Sequence, residues 1–288
     1  MKRVGLLIGL VVFGSTVLSA SDFPICTTAT RQQDPAVAWD GENYLVVWTD
    51  RSFGDSVYDI LVQQVSENGD LIDSSFHISS APNEQLHAAI ALGDTSGLVV
   101  WQDDRIQPGD IYGQIILKKG ELGDTNFAIC IHSELQWGPA VAWNGTDYLV
   151  VWEDRRNYPY WSIYGQVVSP NEELIGDAFA ISEVPGEQGE CAVAWSDTSY
   201  LVVWQNSRTP PGPRHWKIYG QRVRSGQCVG SNFPICTVSS CDVLHRCHHR
   251  CPSLVFGSGK YLVVWEDYRK CHTTGWDIFG KKIIPLAY

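Results

Sequence analysis

Nine cysteines and eight histidines are the chain's most reactive side chains, and they are unevenly spread. Cys236, Cys241, Cys247 and Cys251 share one stretch with His245, His248 and His249, and Cys271 and His272 follow closely. Thiolates and imidazoles brought together can bind zinc. The spacing C-x4-C-x5-C-x3-C matches no strong zinc signature, however, and no C-x-x-C-H offers covalent haem attachment. Disulfides pinning a long insertion are the better expectation for an exported chain. Nine is odd, so at least one thiol is left free, bound to metal or paired with another molecule. Cys26, Cys130 and Cys236 share a recurrent position with Ser79 and Ser182, which points to packing of small residues there.

Sugar cleavage needs two carboxyls facing each other across a bound sugar. Five short apolar stretches, PAVAW, AAIAL, PAVAW, CAVAW and PSLVF, contain no acid, and only Asp34 and Glu190 stand immediately before one. No Ser-His-Asp elbow, phosphate loop or dinucleotide fingerprint is present. Aromatic residues cluster in three irregular segments, RNYPYW (156–161), RTPPGPRHW (208–216) and YRKCHTTGW (268–276). Aromatic faces beside polar groups suit sugar rings or peptide side chains. The candidate ligand-binding residues are therefore Trp137, Tyr158, Tyr160, Trp161, His215, Trp216 and Trp276. For Tyr58, Trp161, Trp216 and Trp276, each just before a regular stretch, packing is the competing role. Gln32, Gln85, Gln136 and Gln188, with His249, recur three residues before the apolar stretches. They form either a ligand ring or a set of hydrogen bonds to incoming loops. The recurrent Asp and Arg, such as Asp154 and Arg156, read as loop-pinning ion pairs.

A fivefold repeat must position these residues. Leu-Val-Val-Trp ends at Trp48, Trp101, Trp152, Trp204 and Trp265, at intervals of 53, 51, 52 and 61. Each unit adds a stretch such as DIYGQ, and four add one such as FAIC. The stretches are β-branched or aromatic and bounded by Gly, Asp, Asn or Ser, which predicts strands. Asp40-Gly41, Asn68-Gly69 and Asn144-Gly145 predict tight turns. Each unit is thus a four-stranded antiparallel meander, the content of a propeller blade. The last unit lacks its fourth stretch, and DFPIC near the N-terminus matches NFPIC before the last unit. From Ile25 to Pro35 is 10 residues, as from Ile78, Ile129 and Ile181 to the next unit. The predicted fold is all-β, a five-bladed propeller of four-stranded antiparallel blades closed by the N-terminal strand completing the C-terminal blade. The loop from Ile235 to Pro252 spans 17 residues instead of 10.

Residues 1–20 have a charged start, an apolar run and a small-residue end, which predicts a signal peptide ahead of one domain over 21–288. The chain is then secreted or periplasmic, with no membrane insertion after cleavage. Its net charge of −11 argues against binding nucleic acid through phosphates.

The pattern YLVVW-x-D-x-R followed by DIYGQ resembles the TolB-type, WD40-like repeats of secreted bacterial propellers. That resemblance implies architecture rather than activity. The favoured reading is a non-catalytic, monomeric binding propeller without cofactor, holding an extracellular glycan or protein on its variable aromatic loops. The alternatives are a five-bladed glycoside hydrolase, tested at Asp34 and Glu190, and a metal or redox site in the loop 236–251.

Overall fold

A computed structural model of the chain describes residues 22–51, 57–107, 109–118, 120–207, 216–236, 248–270 and 275–285, the side chains of 269 and 270 excepted. The stretch read as a signal peptide lies outside these residues, as do His215, Cys241, His245, Cys247, Cys271 and His272. Blade one contains β1 (Gln32–Trp39), β2 (Asn43–Arg51), β3 (Tyr58–Ser66) and β4 (Leu71–Ser79). Blade two contains β5 (Gln85–Leu92), β6 (Ser96–Asp103), β7 (Asp110–Leu117) and β8 (Phe127–Cys130). Blade three contains β9 (Gln136–Trp143), β10 (Tyr148–Asp154), β11 (Ser162–Val168) and β12 (Leu174–Ser182). Blade four contains β13 (Gln188–Trp195), β14 (Tyr200–Asn206), β15 (Lys217–Arg224) and β16 (Gln227–Pro234). Blade five contains β17 (His249–Gly257), β18 (Lys260–Lys270) and β19 (Gly275–Ile283). Each sheet is an antiparallel meander in chain order, and no helix occurs among the described residues.

The Leu-Val-Val-Trp runs of blades one to four are buried on both faces because each lies inside its sheet between neighbouring blades, whereas Leu262 of blade five is exposed. Ile129 of blade two packs with Tyr148, Val150 and Trp152 of blade three, and Ile181 of blade three packs with Tyr200, Val202 and Trp204 of blade four. Each such side chain contributes about 1.5–3 kcal/mol on burial. First strands of successive blades are neighbours in the order β1, β5, β9, β13, β17. Gly41, Gly69 and Gly145 take φ of 99°, 88° and 97° in the expected tight turns, where a side chain would be strained.

The fifth sheet has three strands and lacks the N-terminal strand expected there. Ile25 and Cys26 nevertheless pack against Val46, Trp48 and Val65 of blade one. That is where a fourth strand of the last blade would stand, as Ile78 of the fourth strand of blade one packs on Val99 and Trp101 of blade two. With the outer edge of β19 unpaired, Ile278 is 73% exposed, whereas its counterparts Ile60, Ile111, Ile163 and Ile218 are all at 0%.

A buried lock ends the second strands of blades two and three. Trp101 Nε1 donates to Asp103 at 2.7 Å, and Arg105 donates to both oxygens of the same carboxylate. Trp152, Asp154 and Arg156 repeat the arrangement. Arg105 and Arg156 lie 4.1 and 4.0 Å from the ring centres of Tyr112 and Tyr164.

Candidate functional site

The first strands begin about three residues earlier than the apolar stretches suggest, and each carries a β-bulge. The shifts fall between Gln33 and Ala36, Leu86 and Ala89, Gly189 and Ala192, and Arg250 and Ser253, with a matching one opposite Val151 and Glu153. The bulge residues are Asp34, His87, Gly138, Glu190 and Cys251, with φ of 52°, 56°, 56°, 52° and 50°. Only one of the five is glycine, so four side chains are held in the left-handed region. Strain of this kind concentrates at functional positions. It places a different side chain from each blade on the innermost strand. Asp34 and Glu190 therefore lie within inner strands, which do carry acids after all.

These residues meet across blade junctions. His87 Nδ1 stands 3.3 Å from Asp34 Oδ2, and the His87 ring packs on Trp137 at 4.6 Å. On the other side, Glu153 reaches from β10 toward β13, where its Oε1 accepts the backbone N–H of Glu190 at 2.6 Å. A Cβ on Gly189 would lie 2.7 Å from Glu153 Oε2, so the glycine makes room for this carboxyl. Burial, reinforced by the charge of Glu190, raises the Glu153 pKa to about 8, against the hydrogen bond that Glu190 donates. The buried Cys191 thiol is raised too, first by burial and then by Glu153. Glu190 itself is exposed.

Glu153, Glu187, Gln188, Gly189, Glu190, Gln205, Trp161 and Trp216 line a cleft of about 320 Å³ between blades three and four. That is the lower end of the range for small-ligand sites. Two expected aromatics, Trp161 and Trp216, and one expected glutamine, Gln188, are thus brought to one site. Trp137 lies on β9 opposite Glu153, 40% exposed. Tyr158 is exposed beside Arg155, and Tyr160 is partly buried, its N–H bonded to Asn157. Trp276 packs with Tyr268 and Arg250 in blade five. Gln32, Gln85, Gln136 and Gln188 donate their amides to loop carbonyls of Thr30, Asn83, Glu134 and Ser182.

Glu153 escaped the sequence reading. Its signal was a break in the repeat: the residue after the second-strand Trp is Thr49, Gln102, Glu153, Gln205 and Glu266. Cys26, Cys130, Cys191, Cys228, Cys236 and Cys251 are thiols, so the expected disulfides are not seen among the described residues.

No family model matches the chain, and no curated protein matches it in sequence. Solved structures do match its fold. The endo-arabinase from Bacteroides thetaiotaomicron shares 12% identity over 88% of this chain and 94% of its own, with a TM-score of 0.52. An α-L-arabinofuranosidase from Clostridium thermocellum shares 10% over 88% and 90%, with a TM-score of 0.48. The GH43 endo-arabinanase from Bacillus licheniformis shares 11% over 86% and 92%, with a TM-score of 0.44. The Bacteroides neighbour is an endo-arabinase rather than a TolB-type propeller, so the TolB-like pattern carries the blade architecture alone. The same finding overturns the expectation of a non-catalytic binding propeller. That expectation rested on the aromatic loops and near-uniform repeats, and a hydrolase was disfavoured by inner strands without acids. The bulges place Asp34 and Glu190 on those strands, and Glu153 joins Glu190 in the cleft.

Proposed function

We propose that the chain is a five-bladed glycoside hydrolase, exported by its N-terminal segment, that cleaves an arabinose-containing polysaccharide. The observation that carries this reading is the Glu153–Glu190 pair lining a cleft between two tryptophans. Burial and the nearby charge of Glu190 keep Glu153 protonated at neutral pH. Glu153 delivers that proton to the leaving oxygen as general acid, with Glu190 beside it in the cleft. Asp34, at the equivalent bulge of blade one and beside His87, is the second carboxyl, which takes a proton from the attacking water. Trp161 and Trp216 offer faces to the sugar. The fold likeness to the Bacteroides endo-arabinase supports arabinan as the first substrate to try.

The test is release of reducing sugar from arabinan and arabinoxylan by the purified chain, with product analysis. Turnover is expected, with Glu153→Gln and Asp34→Asn each lowering kcat by about 10²–10⁴-fold. Absence of turnover on every arabinose-containing glycan, or full activity in both variants, overturns the reading.

A further inference from the structure

Each blade junction brings the same three positions together: the residue ending one blade, the residue opening the next, and the residue two after the second-strand Trp. At the junction of blades two and three these are Cys130, Gln136 and Asp154. At the junction of blades one and two they are Ser79, Gln85 and Asp103, and at that of blades three and four Ser182, Gln188 and Asn206. Only at the junction of blades four and five are all three metal-ligating types, Cys236, His249 and Asp267. Their ligand atoms all lie within 4.8 Å of one another. All three are buried, at 2%, 1% and 0% exposure.

We propose that Cys236, His249 and Asp267 form a structural site for a zinc-like divalent ion at the junction of blades four and five. His249 Nδ1 stands 2.9 Å from Asp267 Oδ2, which also accepts Trp265 Nε1 at 2.9 Å. Two ligand atoms about 2.0 Å from one tetrahedral ion stand about 3.3 Å apart, and sulfur stands somewhat farther off. The observed cluster needs only a small adjustment to reach this spacing. The ligand chemistry selects the metal. A thiolate and an imidazole favour zinc over calcium or magnesium, which take oxygen ligands. Charge points the same way. A thiolate and a carboxylate together carry two negative charges, which a divalent ion neutralises within a buried site. Binding sends the Cys236 thiol proton to solvent, so affinity rises with pH. The backbone N–H of His249 donates to Trp216 O at 3.1 Å, which ties the site to the edge of the cleft. Cys236 and His249 also bracket the long insertion, so one ion would fasten both of its ends. Three protein ligands leave one coordination position.

The test uses the full chain, treated with chelator, loaded with zinc chloride and freed of excess ion by gel filtration. About one zinc per chain is expected, with no calcium retained. Cobalt substituted for zinc should give a thiolate charge-transfer band and the intense visible bands of tetrahedral coordination. His249→Gln and Cys236→Ser introduce residues that other junctions already carry, so the fold should tolerate both. Each variant should lose the ion and the cobalt bands, and zinc should raise Tm in the parent chain alone. No retained zinc in the parent chain overturns the site. So does stoichiometric zinc that survives both substitutions, since the ion is then held elsewhere.

Discussion

Glu153 Oε1 accepts the backbone N–H of Glu190 at 2.6 Å, joining the second strand of blade three to the first strand of blade four. A middle-strand side chain thereby sets the position of a residue on the inner strand. It does so from a partly buried site where ionisation is costly.

Stability should depend on pH through this residue. Glu153 has a pKa of about 8 in the folded chain, against an ordinary value of 4.5. Between those values the folded chain binds more protons than the unfolded one, so stability falls as pH rises through that window. Below it both states hold the proton, and above it neither does. Glu153→Gln keeps an acceptor for the Glu190 N–H but cannot ionise. The variant should show a flatter profile and exceed the parent chain at pH 9 by on the order of a few kcal/mol. Denaturant unfolding from pH 4 to pH 9 measures this, and parallel profiles would contradict it.

The same variant should alter the rate profile. Glycan cleavage needs Glu153 protonated, so kcat/KM should fall as pH rises past about 8. In Glu153→Gln the acid is gone, so most of the rate and the alkaline limb should vanish together, with KM little changed. A purely structural role would lower activity at every pH and leave the limb in place.

Gly189→Ala separates the carboxyl's position from the fold. The new Cβ would meet Glu153 Oε2 at 2.7 Å, and the carboxyl is the end of a flexible chain that can move aside. Stability should change by less than about 1 kcal/mol, as at sites away from packed cores. Activity should fall at least tenfold, because the displaced carboxyl loses the Glu190 N–H. Unchanged kinetics would show that this contact does not matter to the reaction.

The blades were legible because each unit repeats the same strand and turn chemistry, from the Leu-Val-Val-Trp runs to Asp40-Gly41. The cleft was less so. Trp161, Trp216 and Gln188 were visible as loop aromatics and a recurrent amide. Glu153 was not, because it reads as part of a scaffold motif and acquires its role from a neighbouring blade. Asp34 and Glu190 stood in view but seemed to precede the inner strands. A bulge inserts an extra residue without altering the apolar pattern that marks a strand. The open edge of β19 was hidden for another reason. Spacing and side-chain packing both place the DFPIC segment where the last blade meets blade one, but it forms no ladder with β19.

Trp161 and Trp216 should govern affinity. Aromatic stacking contributes about 0.5–1.5 kcal/mol beyond buried area. Replacing either tryptophan with Ala should raise KM by about 3–10-fold, with kcat reduced less. Equal loss of kcat and kcat/KM would instead place the ring against the transition state.

Asp103 tests the scaffold away from the cleft. Its carboxylate is fully buried and holds Trp101 Nε1 and the Arg105 guanidinium. Asp103→Ala leaves a buried indole N–H and a largely buried cation without their acceptor, which costs about 3–5 kcal/mol. Asp103→Asn should cost less, since an amide of the same shape fills the site, as Asn206 does in blade four without bonding Trp204 Nε1. Urea unfolding should rank the chains parent, Asn, Ala in falling stability. The folded fraction of each variant should keep its kcat, because Asp103 pins blade two and lies outside the cleft that holds Glu153 and Glu190. A loss of kcat without a loss of stability would move Asp103 from the scaffold into the chemistry.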